Sequence, residues 1–251
     1  MVNNGIQNEL EIIDCLNGKK YNELTTFWQS RMKQLYFDIK EEDTIECYKN
    51  AKNQKADIVI KVDDKKWYIS IKSGFFVSVH MESITSFTGF LRAIGIEEEH
   101  IKTLKLYHYG DGTTDGTGSE HKPVDILKEE LKDRIKALNA AINEPERLKQ
   151  IILRFIYCGT PFARSYVTHL YWGTKDYGNM IDVKTMVDYL CSDYPFESTS
   201  IHFGPFIYAP GYRGLTNFNS SNVRRYYINI KWPSLTRDIR DAKDWLLRNI
   251  K

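Results

Sequence analysis

Lys55-Ala56-Asp57-Ile58-Val59-Ile60 and, after the polar break Asp63-Asp64-Lys65-Lys66, Trp67-Tyr68-Ile69-Ser70-Ile71-Lys72 form the stretch on which the fold turns. Both runs are rich in β-branched and aromatic residues, and a short polar connection between two such runs marks a hairpin. Asp57 then opens one strand and Lys72 closes the next, so an acid and a lysine stand side by side at one end of a sheet. Alternation puts Ser70 and Lys72 on one face, with the Ile71 main chain between them. A carboxylate, a carbonyl and an ammonium gathered in this way suit metal-assisted hydrolysis of a phosphodiester. A divalent ion polarises the phosphate and acidifies water, and magnesium needs only one or two protein carboxylates with other oxygens around it. Asp57 and the Ile71 carbonyl are therefore candidate metal ligands, and Lys72 the candidate group beside the attacking water. Ser70 leaves a gap where a second carboxylate would be expected. The plainer reading of the same residues is a surface hairpin with ordinary exposed ends.

Working outward, Asn3 or Asn4 can cap a helix to about residue 16, with Ile6, Leu10, Ile13 and Leu16 on its buried face and Asn17-Gly18 as its stop. A second helix is expected over residues 22–38, then a polar connection over 41–53. Beyond the hairpin, Ser73-Gly74 breaks the strand and a helix is expected over 82–94, with Ile84, Phe87 and Leu91 on one side. Residues 107–120, Tyr-His-Tyr-Gly-Asp-Gly-Thr-Thr-Asp-Gly-Thr-Gly-Ser-Glu, read as a long loop. Helices are expected over 124–142, on Ile126, Leu131, Ile135, Leu138 and Ile142, and over 145–157. Strands follow at 167–172, 199–208 and 225–232, with a helix capped by Asp182 running to 191 and a last helix over 236–249.

The hairpin resembles the signature of the PD-(D/E)xK nucleases, the superfamily that includes most type II restriction endonucleases. The match comprises Asp57, twelve intervening residues, then Ser70-Ile71-Lys72; Ala56 stands where the name has proline, and Ser70 where it has an acid. A subgroup with (S/T)xK is similar in the second respect and takes a displaced glutamate from the following helix. Glu82, with nine residues between it and Lys72, is the position that the resemblance offers for that part, although the gap is shorter than in the subgroup. Many members also carry a glutamate on the first helix, and Gly5-Ile6-Gln7-Asn8-Glu9 looks like that element, making Glu9 the candidate and Glu11 its nearest rival. The likeness covers roughly residues 3–94. It implies a restriction-endonuclease-like α/β fold, a central mixed sheet flanked by helices, with Asp57, Ser70, Lys72, Glu82 and Glu9 as catalytic residues. It further implies Mg2+ as cofactor, held by Asp57, Ile71, Glu82 and Glu9.

The C-terminal half adds extra strands and helices, and it interleaves aromatic, amide and basic side chains around turns: His202-Phe203-Gly204-Pro205, Tyr212-Arg213-Gly214, Asn217-Phe218-Asn219 and Arg224-Arg225-Tyr226-Tyr227. Arginine reads guanine edges and asparagine adenine edges, so Arg213, Asn217, Arg224 and Arg225 are candidate DNA contacts, and His80 can reach a phosphate. The competing reading is strand packing with solvated arginines. An organisation of 1–110 as catalytic core and 111–251 as helical insertion and recognition half is expected, within one continuous globular unit.

Composition narrows the rest. Over 251 residues, 42% are hydrophobic and 27% charged, as in ordinary globular proteins, and the formal net charge of +2 confines any nucleic-acid surface to a local patch. The four cysteines form no CxxC, which argues against a zinc knuckle and a disulfide framework. The glycine-rich stretch lacks GxxxxGK[ST], so no nucleotide cofactor is expected, and HExxH is absent. No signal pattern opens the chain and no apolar run approaches a membrane span, so a cytoplasmic protein without a membrane partner is expected. The expectation is a sequence-specific endonuclease for double-stranded DNA, a type II restriction enzyme acting as a homodimer because a two-fold dimer matches a palindrome. The alternatives are a structure-specific nuclease (nickase, repair enzyme or junction resolvase) and a catalytically silent DNA-binding protein on a nuclease fold.

Overall fold

The computed structural model describes residues 4–52, 54–118, 121–160, 165–192, 198–211 and 223–249. In chain order the helices and strands are α1 (Asn4–Leu16), α2 (Thr26–Leu35), β1 (Glu46–Lys49), β2 (Ile58–Val62), β3 (Lys65–Lys72), β4 (Val77–Ser83), α3 (Ile84–Ala93) and α4 (Glu98–Tyr109). They continue as α5 (Val124–Glu130), α6 (Lys132–Ile142), α7 (Pro145–Leu153), β5 (His169–Gly173), β6 (Gly178–Asp182), α8 (Val183–Cys191), β7 (His202–Phe203), β8 (Phe206–Pro210), β9 (Tyr227–Trp232) and α9 (Leu235–Asn249). The protein is thus mixed α/β, as expected. None of its described helices is long and apolar enough to cross a membrane.

Contacts divide the chain into two units, and neither follows the expected division at 110/111. The first unit comprises residues 1–77, 156–189 and 234–251; the second comprises 78–155 and 190–233. Each is assembled from separate stretches because a strand late in the chain completes a sheet begun early. In the first unit the sheet order is β1-β2-β3-β5-β6, with β3 and β5 parallel and the other neighbours antiparallel. The second unit holds a sheet of order β4-β9-β8-β7.

The hairpin is present as read. Ile58 pairs with Ile69 and Val62 with Lys65, leaving Asp63-Asp64 as a two-residue turn, and Asp63 takes φ +51°, as the tight hairpin turns require. One sheet face packs Ile58, Ile60, Ile69, Ile71, Tyr171 and Met180 against Ile12 and Leu16 of α1 and Trp28, Met32 and Leu35 of α2. The stripe of α1 is rotated from the expected one: Asn8, Ile12 and Leu16 are buried, while Ile6 and Leu10 are exposed. Asn8 tolerates burial because its Nδ2 donates to the Gly173 carbonyl at 2.9 Å. Gly173 itself, at φ +149°, has the Tyr177 carbonyl where a Cβ would go.

Other expectations shift for local reasons. The stretch 41–53 contains β1, whose Cys47 is fully buried. The second helix starts late, at Thr26, because Thr25 caps it by accepting from Trp28 N. The helix expected from 82 begins at Ile84: Glu82 belongs to β4, and Ser83 is the cap, accepting from Ser86 N. Tyr107, His108 and Tyr109, read as loop, are buried residues ending α4, which Gly110 closes at φ +67°. Asp111 then ties the loop by accepting from the Thr113 and Gly118 amides. Strand 199–208 is split by a Gly204-Pro205 turn, with Phe203 paired to Phe206. The helix capped by Asp182 is present, the carboxylate accepting from Thr185 N at 2.8 Å. On the expected 124–142 helix, Ile126 is exposed and Leu127 buried, and a break at Leu131 separates α5 from α6.

His169 on β5 is buried, edge-on to Trp67 and paired in register with Asp182. Burial pushes its imidazole down to about 4, with Asp182 opposing the shift. A folded value below the unfolded 6.5 means that His169 is neutral in the native state, so its contribution is intact above pH 6.5 and lost as pH falls towards 4. We predict that the thermal midpoint declines across this window and that His169→Gln flattens the decline. An equally steep decline in the variant would assign the titration to another group.

Candidate active site

Continuing the β2–β3 register by one residue brings Asp57 opposite Ser70, on the sheet face away from α1 and α2. There the Asp57 Oδ2 is a common acceptor: the Ile71 amide donates at 2.6 Å, Ser70 Oγ at 3.1 Å and Lys72 Nζ at 3.2 Å. Lys72 Nζ also donates to the Ile71 carbonyl at 2.8 Å. The main chain locks this corner, since Asp57 N donates to Ile69 O and Asn50 N to Asp57 O. Ser70 is buried and spends its hydroxyl on steadying Asp57. The side chains of Asp57 and Lys72 keep 24% and 18% exposure, enough for a ligand to reach them.

The remaining positions read from the sequence are distributed as follows. Glu9 shares the first unit with Asp57, and its carboxylate pairs with Lys49 Nζ at 2.6 Å. Lys49 lies on β1 opposite Ile58, the residue after Asp57, so Glu9 reaches the same end of the sheet through one lysine. Glu82 and His80 are buried in the second unit. There Arg154 grips both Glu82 oxygens, at 2.7 and 2.6 Å, while His80 Nε2 lies 2.8 Å from Oε1 and Ser86 Oγ donates to Oε2 at 2.6 Å. Burial raises the Glu82 carboxyl, but the Arg154, His80 and Ser86 contacts outweigh it and hold the group down at about 2. Arg225 is buried as well, its guanidinium 5.3 Å from the Tyr226 ring and its carbonyl 2.7 Å from His108 Nε2, whereas Arg224 is exposed. Arg213 and Asn217 lie outside the described residues.

The sequence reading did not anticipate Arg154 as the partner of Glu82. An arginine 72 positions away carries no local signal of its partner.

An ammonium bridging a carboxylate oxygen and a carbonyl oxygen shows that these two donors converge on one point and favour positive charge there. That donor set, Asp57 with Ile71 O, fits a hard divalent ion such as magnesium. Among the described residues no group of three or more His, Cys, Asp or Glu side chains is clustered for a metal, so a dedicated all-side-chain cage is not built here.

No protein-family model matches the chain, and no curated protein matches it significantly. Among solved structures, the chain is similar to restriction endonuclease MspI in complex with its cognate DNA, at 13% identity and a TM-score of 0.47, over 90% of this chain and 88% of that one. A likeness of this size leaves the assignment of chemistry to the residues themselves.

The Glu82–Arg154 pair supports a sharp stability prediction. Glu82→Gln leaves a buried guanidinium uncompensated and should cost about 3–5 kcal/mol, whereas adding Arg154→Met should restore most of it. Because the folded value of Glu82 lies below the unfolded 4.5, its contribution is present above pH 4.5 and is lost as pH falls to about 2. Chemical denaturation of the single and double variants at pH 7 and pH 3 measures both effects; a single variant as stable as wild type at pH 7 would refute the pairing.

Proposed function

We propose that this protein is a magnesium-dependent endonuclease acting on double-stranded DNA, of the PD-(D/E)xK kind, and in its specific form a type II restriction endonuclease working as a homodimer. The observation that carries the reading is the convergence of Asp57 Oδ2, the Ile71 carbonyl and Lys72 Nζ within hydrogen-bond distance at one sheet end. Asp57 and Ile71 O would hold the ion. When bound, it polarises the phosphate and acidifies water. Lys72, tethered between the same two oxygens, positions the water and offsets charge developing on the phosphate. Ser70 and the Ile71 amide fix the orientation of Asp57, so the carboxylate does not have to be ordered when substrate arrives.

For the second carboxylate we assign Glu9 in preference to Glu82; because α1 packs on the face opposite Asp57, Glu9 would serve the site around the end of the sheet. Exchange of Lys49 at Glu9 costs little, because Lys49 is 46% exposed and a solvated ion pair is weak. Releasing Glu82 would strand buried Arg154, a penalty of several kcal/mol by the buried-pair argument. His80, held in the same buried network, is not assigned a phosphate contact.

The test is a digest of methylation-free, phage-length DNA with Mg2+ and with EDTA. We expect discrete Mg2+-dependent fragments. Asp57→Ala and Lys72→Ala should each lower the cleavage rate by about 10²–10⁴-fold while DNA binding persists, and Glu9→Gln should lower it more than Glu82→Gln does after correction for folded fraction. Full cleavage by both the Asp57 and Lys72 variants would reject the site. A second reading, a catalytically silent DNA-binding protein, is favoured by Ser70 in the acid position and by the sequestered Glu82. Wild-type protein that binds DNA but leaves it intact across several metals would establish that reading instead.

A further inference from the structure

The sheet end that carries Asp57 and Lys72 extends across two more strands. Register pairs Lys72 with Trp172 on β5 and Trp172 with Asn179 on β6, so the three side chains share a row and a face. Strand spacing sets Asn179 about 10 Å from Lys72.

At Asn179 this row meets a recess of about 510 Å³ lined by Asn179, Thr236, Arg237, Arg240, Lys243 and Asp244, the last five on α9. Lys243 Nζ lies 3.5 Å from Asn179 Oδ1 and makes no ion pair among the described residues. A second cation backs it: Arg31 of α2 donates to the carbonyl of Gly178, the residue before Asn179, at 2.9 Å. The Arg31 Nε is buried without a hydrogen-bond partner, and Arg31 also has no carboxylate partner among the described residues. Arg240 is 69% exposed and pairs with Asp241. Arg237 is neutralised by Asp238 and Asp241, and Asp244 is the one acid on the lining.

Among the described residues neither Lys243 nor Arg31 has a counter-ion, and their like charges repel. Burial and then Arg31 hold the Lys243 ammonium below its ordinary value. Such an arrangement gains most from a ligand that brings negative charge with several acceptor oxygens.

We propose that the Asn179–Arg240–Lys243 recess is a phosphate subsite for the backbone of the DNA duplex. It engages the strand one or two phosphates from the one held at Lys72: duplex phosphates advance about 3.4 Å along the axis but also wind around it, so a straight separation of about 10 Å spans fewer than three of them. This inference rests on the nuclease reading for its substrate, and it adds a positioning contact that carries no base information.

The experiment measures binding of a labelled duplex of about 30 base pairs in EDTA across a salt series, and separately cleavage with Mg2+. One lost phosphate contact lowers the salt slope by about one and the affinity at 0.1 M salt by about eightfold. Lys243→Gln and Arg240→Gln should each weaken binding of unrelated duplexes alike, raise the KM for cleavage and leave kcat nearly unchanged. Arg240 is too exposed for its loss to unfold α9. Asp244→Asn should tighten binding several-fold, a change that a damaged fold does not mimic. Affinity and salt slope equal to wild type in all three variants would overturn the subsite and leave the nuclease reading intact. Conversely, wild-type protein that binds but never cuts would overturn the nuclease reading, while the binding series still decides the subsite.

Discussion

The register of the β2–β3 pair is the constraint on which the first unit depends. Ile58, Ile60, Ile69 and Ile71 are almost fully buried on one face, and burying each is worth about 1.5–3 kcal/mol. A slip of one residue in either strand would turn its two isoleucines to the opposite face, so roughly 3–6 kcal/mol of gross burial holds the alignment. The same alignment puts Asp57 opposite Ser70 and two residues from Lys72. The polar cluster is therefore positioned by core packing on the reverse side of the strands and spends little of its own interaction energy on being assembled.

Two carboxylates illustrate how burial separates structural from chemical use. Asp57 and Glu82 each meet a cation and a hydroxyl. Glu82 is 2% exposed in its side chain and meets a bidentate arginine, so every oxygen is committed and displacement is costly. Asp57 receives its three donors on one oxygen and keeps a quarter of its side chain exposed. A pair of this kind can exchange partners with a ligand or an ion. The contrast also explains the preference for Glu9 over Glu82, because Glu9 is paired with a lysine that water can replace.

Edge placement has a parallel effect on cations. Lys65 and Lys61 lie on the hairpin beside acids and are paired at the surface. Lys243 and Arg31 each reach the start of β6, where their hydrogen-bond partners are an amide and a carbonyl. Charge left uncompensated at the sheet edge is available to an anionic ligand.

The sequence by itself determined the hairpin, the Asp57–Ser70–Lys72 constellation and most helices, because each depends on alternation, capping or turn chemistry within about twenty residues. It also carried the caps at Asp182 and the stop at Asn17-Gly18, whose effects are local. Only the tertiary structure decided which stripe of α1 is buried, since Asn8 becomes a core residue through a carbonyl 165 positions away. It likewise decided that Glu82 lies in a strand and pairs with Arg154, that Arg225 is buried, and that Asn179 and Lys243 line a recess at the end of the row that holds Lys72. Strands β5 and β6 join the sheet about a hundred residues after β3, and α9 returns later still. A side chain's partner across such separations is set by how the layers pack, and no periodicity or spacing along the chain encodes it.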